Sequence, residues 1–177
     1  SFNTLDDFDV NGQSVLVRAD LNVPLTENRG IADDTRIKRL VPTLAELSAR
    51  GARTIVMSHF GRPKGRRVRK LSLEIATLPI SNELNGVHVA FAHDCVGDAA
   101  QSVVSTLKSG EIALLENLRF HEGEESNDSN FAIKLAELGT IYINDAFSAS
   151  HRPHASVVGV PRLLPHAAGR SMQAELK

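Results

Sequence analysis

The strongest constraint on this chain is a repeated alternation. A short apolar run, mostly β-branched, is followed by a polar cluster and then by a stretch with helical spacing. The apolar runs fall at Val15–Val17, Thr54–Met57, Val87–Phe91, Ile112–Leu115 and Ile141–Ile143, and each reads as a buried strand. Between the first two, Asp33 and Asp34 offer a helix N-cap, Ile37, Leu40, Val41, Leu44 and Leu47 recur at helical spacing, and Gly51 suits the C′ position. Pro42 inside this pattern predicts a kink or a helix in two pieces. Further helices are expected at 72–84, with Pro79 disturbing the second half, at 96–107, at 131–138 and from about Arg170 onward. Strands alternating with helices over short loops dictate an α/β fold, a parallel sheet with helices on both faces. Right-handed crossovers then bring the carboxyl end of every strand to one edge.

At 177 residues the chain fits one domain with a terminal extension. Its 20 Lys and Arg against 21 Asp and Glu leave it near neutral, which argues against a general nucleic-acid or membrane binder. No apolar run approaches a membrane span and no basic-then-apolar signal segment opens the sequence. One cysteine allows no intrachain disulfide, so the expected setting is a reducing, cytoplasmic one.

Polar residues recur just after the strands. In SVLVRADLNVP (14–24), Arg18, Asp20 and Asn22 alternate and project the same way. His59 and Arg62 follow the second strand, Arg119 the fourth, and His151 with Arg152 the fifth; Arg36 joins from a helix start. In open parallel sheets ligands sit outside the carboxyl ends of strands. Four arginines and a histidine on one edge would repel one another without an anion between them, and arginine forks match carboxylate and phosphate oxygens. A small doubly anionic ligand is one reading. Scattered surface charges, with Arg18 and Asp20 propping a loop, is the other.

The segments VRADLNVP, DDTRI, SHFGRPKG, ENLRF and NDAFSASHRPHAS, in this order and spacing, resemble the N-terminal domain of phosphoglycerate kinase. The resemblance implies a Rossmann-like sheet in a single domain, residues 1–169, of a two-domain enzyme, with 170–177 as the start of the interdomain helix. It also implies a ligand, 3-phosphoglycerate or 1,3-bisphosphoglycerate. By carry-over, Asp20 and Asn22 bind the glycerate part. His59, Arg62, Arg119 and Arg152 hold the phosphate that is not transferred. Arg36 faces the migrating phosphoryl group as the catalytic residue, and Leu21, Phe60 and Gly61 contribute backbone within the same segments. Arg18 is expected to be structural, partnered by a buried carboxylate. The family's magnesium and ADP or ATP belong to a C-terminal domain whose phosphate-binding segments are absent here. The chain is therefore expected to be inactive alone, with that missing domain as its partner, in an enzyme that is monomeric and glycolytic. The alternative is a non-catalytic anion-binding or interaction domain.

Several other signals carry blander expectations. The basic run from Arg62 to Lys70 reads as a solvated hairpin before a polyanion contact. His93, Asp94 and Cys95 with His88 lack paired ligand spacing, so no metal is assigned. The acidic loop 121–130 lacks the alternating ligands of a calcium loop. Pro153 and Arg170 depart from the family pattern, Arg170 in a segment that is usually apolar.

Overall fold

The computed structural model describes residues 2–176. Six strands form one sheet: β1 (Ser14–Arg18), β2 (Arg53–Met57), β3 (Val89–Ala92), β4 (Ile112–Leu115), β5 (Ile141–Asn144) and β6 (His166–Ala168). Their order is β3-β4-β2-β1-β5-β6, and every neighbouring pair is parallel. The helices are α1 (Thr35–Ala49), α2 (Thr77–Glu83), α3 (Gly97–Ser105), α4 (Glu122–Glu125), α5 (Ser129–Ala136) and α6 (Arg170–Glu175).

Strand side chains alternate between two cores. Val15, Val17, Val56 and Ile143 pack with Leu44 and Leu47 of α1 and Ile80 of α2. Leu16, Ile55, Met57 and Tyr142 pack with Ala100 of α3 and with Phe131 and Leu135 of α5. A sheet buried on both faces explains why its strands read as continuous apolar runs.

Three sequence expectations shift. Helix α1 is a single element through Pro42, because Ile37, Leu40, Thr43, Leu44 and Leu47 bury one face on both sides of the proline. Residues 73–76 form a 3-10 turn before α2, and Pro79 sits in the first turn of α2, where its missing N–H has no helical acceptor to lose. The acidic loop contains α4, and Glu124 within it is fully buried. The sixth strand has no counterpart in the sequence reading.

Arg170 is an anchor. Its guanidinium reaches Glu46 of α1 through Nε (2.8 Å) and Nη2 (2.9 Å), and Asp6 through Nη2 (2.7 Å). Both carboxylates raise its pKa, Glu46 more than Asp6. The glycine before it is forced by space. A Cβ on Gly169 would lie 2.3 Å from Asp145 Oδ1, so Gly169→Ala is expected to cost about 1–3 kcal/mol. Denaturant unfolding checks this, and an unchanged midpoint would show that the two segments can separate freely.

Candidate active site at the carboxyl edge

The chain leaves β1 toward β2 on one side, while β5 lies on the other side of β1. The crevice outside the carboxyl ends of β1 and β5 is therefore the switch point at which ligands bind in open α/β sheets. A depression of about 210 Å³ opens there, lined by Asp20, Arg36, Asp145, Phe147 and Ser148 among others.

Asp20 organises the β1 side. One carboxylate oxygen accepts from the Asn22 N–H at 3.1 Å and from Arg36 Nη1 at 3.4 Å, and the other accepts from Ser148 Oγ at 2.5 Å. Arg36, in the first turn of α1, also donates to the Asn22 carbonyl. It points back to the strand ends because helical side chains lean toward the N-terminus. Asn22 Oδ1 accepts from the Gly61 N–H at 2.8 Å, tying the loop after β1 to the loop after β2. Gly61 has φ +63°, and a Cβ there would meet the Leu71 side chain at 2.7 Å, so both conformation and space call for glycine.

The loop after β2 is held from below. The Leu21 N–H donates to Ser58 Oγ at 2.9 Å, and the Phe60 N–H donates to Asn117 Oδ1 at 3.1 Å. The three backbone amides expected at the rim, those of Leu21, Phe60 and Gly61, are thus satisfied within the protein and fix the loops.

Arg119 is 3% exposed. Its Nη1 donates to the Gly61 carbonyl at 3.0 Å, while Nε and Nη2 are buried with no acceptor. Such atoms are rare and costly in folded proteins. His154 Nδ1 is another buried atom without a partner. Burial lowers the pKa of Arg119, with the positive charges of Arg152 and Arg18 adding to it. His59 is pulled down to about 2, first by burial and then by the charges of Arg18, Arg119 and Arg152. Of the expected cluster, His59, Arg119 and Arg152 share one electrostatic neighbourhood, and Arg36 joins Asp20 on its β1 side. Arg62 and Arg152 are exposed, and neither makes an ion pair among the described residues.

Beneath the rim lies a buried network. Arg18, fully buried, places Nη2 3.8 Å from Glu124 Oε2, the carboxylate partner expected for it. Ser58, Asn117, Glu124, Ser148 and Ser156 were not marked as site residues. Asn117, Ser58, Ser148 and Ser156 had a signal, standing inside ENLRF, SHFGRPKG and NDAFSASHRPHAS; Glu124, in an acidic stretch outside those segments, had none.

The basic run 62–70 is not a hairpin. Its latter part forms a 3-10 turn, Arg69–Leu71. With Arg29 and Phe120 it lines an open cavity of about 720 Å³, in which Arg67 stacks on Phe120. Asp94 pairs with His121 at 2.7 Å beside the buried Cys95. The three residues could share a cation, but burial raises the Cys95 thiol well above its usual range, which opposes the thiolate that a metal needs. No helix among the described residues is long and apolar enough to cross a membrane.

The family model for phosphoglycerate kinase matches residues 5–177. Phosphoglycerate kinase of Rhodospirillum centenum is 54% identical over 177 residues, covering all of this chain and 44% of the relative. That of Brucella melitensis is also 54% identical and covered to 44%. The solved phosphoglycerate kinase of Pyrococcus horikoshii superposes with a TM-score of 0.89 at 33% identity, over 99% of this chain and 44% of its own. The Coxiella burnetii structure gives 0.86 at 30%, over 99% of this chain and 43% of its own. The chain thus spans less than half the length of the relatives it matches.

Proposed function

Because the chain belongs to the phosphoglycerate kinase family, we propose that it is the substrate-binding half of such an enzyme. In this reading residues 1–169 bind 3-phosphoglycerate or 1,3-bisphosphoglycerate, and Arg170 onward begins the helix leading to a nucleotide domain. The last residue of that stretch, Lys177, lies outside the described residues. The observation that carries the reading is Arg119, a buried guanidinium with two unpartnered nitrogens aimed at no protein acceptor. A ligand phosphate supplies the missing oxygens. His59, Arg62 and Arg152 complete the phosphate site, and Asp20 and Asn22 take the glycerate part. Leu21, Phe60 and Gly61 hold the loops on which these side chains stand.

Phosphoryl transfer demands alignment and charge neutralisation more than covalent catalysis. Arg36, held toward the strand ends by Asp20 and the Asn22 carbonyl, is a preorganised positive charge for the migrating group. Magnesium and ADP or ATP are assigned to the second domain, so this chain alone binds substrate and transfers nothing. The whole enzyme would work as a cytoplasmic, glycolytic monomer.

Calorimetric titration of the 177-residue chain with 3-phosphoglycerate tests the binding. Saturable binding is expected, weakened more than about tenfold by Arg119→Ala, as fits loss of charge-assisted hydrogen bonds, and weakened also by Arg62→Ala. Equal binding of inorganic phosphate and 3-phosphoglycerate would overturn the reading in favour of a general anion-binding module. Turnover by the chain alone in a coupled ADP assay would overturn the division of labour.

A further inference from the structure

We propose that Arg18, fixed by Glu124 and Ser156, is a positioning residue that holds His59 in one neutral tautomer, with Nε2–H as the only proton the ring can offer. The functional consequence rests on the reading of His59 as a phosphate ligand; the tautomer does not.

The argument is one of donors and acceptors. Arg18 Nη2 lies 2.9 Å from His59 Nδ1. A guanidinium has five N–H donors and no acceptor. In this contact Nδ1 must therefore accept, and the ring proton must sit on Nε2. Protonating Nδ1 would set one N–H against another and break the contact. His59 is only 4% exposed, so the ring has little water with which to replace it.

Arg18 is held in place by two further hydrogen bonds and by the charge of Glu124. Nε donates to Ser156 Oγ at 2.8 Å, and Nη1 donates to the Ala19 carbonyl. Ser156 accepts that bond and its hydroxyl donates to Glu124 Oε2 at 2.5 Å, while the Ser156 N–H donates to Glu124 Oε1 at 2.8 Å. The four residues come from β1, the loop after β2, α4 and the segment after β5, and these bonds fix the plane of the guanidinium against the His59 ring. The charged or titratable groups that bear on His59 are Arg18 from β1, Arg119 from the turn after β4, and Arg152 and His154 from the segment after β5. The nearest carboxylate of the network, Glu124, reaches it only through Arg18 and Ser156. These surroundings oppose a second proton on the ring.

This arrangement explains a histidine in an arginine-rich rim. A neutral N–H donor serves a phosphate oxygen without adding to the repulsion among Arg119, Arg152 and Arg18. It also removes from ligand binding the titration step that an ordinary histidine would introduce between pH 5 and 8.

Long-range nitrogen–proton NMR of the ligand-free chain, labelled in histidine, is the test. The His59 signals are expected to show an unprotonated Nδ1 and a protonated Nε2. They should stay unchanged from pH 8 to pH 5, with the imidazolium form below about one part in a hundred at pH 5. Free histidine in the same buffers serves as the titrating reference. Glu124→Gln, which loosens the hold on Arg18, is expected to bring a His59 titration into that range while circular dichroism shows the fold retained. Should that variant not fold, the unmodified chain still decides. A wild-type His59 that titrates between pH 7 and 5, or carries its proton on Nδ1, overturns the proposal even if 3-phosphoglycerate binds. A locked ring whose signals ignore saturating 3-phosphoglycerate upholds the tautomer and overturns the phosphate-ligand reading instead.

Discussion

Arg18→Met is expected to lower the unfolding free energy by about 3–5 kcal/mol, the range for removing one partner of a buried charged pair. Both Arg18 and Glu124 have no exposed surface. Losing the guanidinium leaves the Glu124 carboxylate without its countercharge. It also strips a donor from Ser156 Oγ, from His59 Nδ1 and from the Ala19 carbonyl. Each stranded buried acceptor carries its own desolvation cost. The methylene stem of methionine fills the space, so the loss reports polarity more than a cavity. Denaturant unfolding reads the effect as a lower midpoint at unchanged slope. Arg18→Met/Glu124→Leu should recover a good part of the loss, because no uncompensated charge remains and the coupling between neighbours is large. A single variant that loses less than about 1 kcal/mol would show that the carboxylate finds another donor, and the four residues would then not act as a unit.

That network marks the boundary of what the amino-acid sequence made legible. The sheet was legible because a strand buried on both faces leaves an uninterrupted apolar run, as in Val15–Val17 and Ile112–Leu115. The rim was legible because topology delivers residues after each strand to one edge, so Asp20, His59 and Arg119 could be grouped before any distance was known. β6 was not legible. His166–Ala168 is short, lacks β-branched residues, and is the edge strand beyond β5, with a single isolated bridge from Ala168 to Thr4 on its other side. Glu124 was hidden for a different reason. Composition marks EGEE as a solvated acidic stretch, and only the burial of Arg18 beside it reverses that sign. The role of Arg170 was hidden for the same cause, since its partners Glu46 and Asp6 are distant in sequence. Pair partners across the fold have no local signature.

Asp145→Asn is expected to change stability by an amount that depends on pH in a fixed direction. Asp145 lies just after β5. Its Oδ1 accepts from the Met172 N–H at 3.0 Å, in α6, while Oδ2 is buried with no partner. Burial raises its pKa from 3.8 to about 6, against the pull of the Met172 N–H, the Thr43 hydroxyl and the Ser171 N–H. A folded-state pKa above the unfolded value means that the folded chain binds the extra proton between about pH 4 and 6. The stabilisation is complete below the unfolded pKa and is lost as pH rises through about 6. Asparagine keeps the acceptor for Met172 and cannot ionise, although its amide N–H₂ inherits the unpartnered position. That amide cost is the same at every pH. The variant's stability relative to the parent should therefore improve by about 2–2.5 kcal/mol between pH 4 and pH 8, the part of the raised interval crossed above pH 4 converted at about 1.4 kcal/mol per pH unit. His59 has the opposite slope, because its depressed pKa makes the unfolded chain take up the proton as pH falls below 6.5. It is common to both proteins and drops out of the difference. Urea unfolding of parent and variant at the two pH values measures the change. A pH-independent difference would show that Asp145 is ionised across the whole range, and that water or a nearby cation satisfies the oxygen left without a partner between β5 and α6.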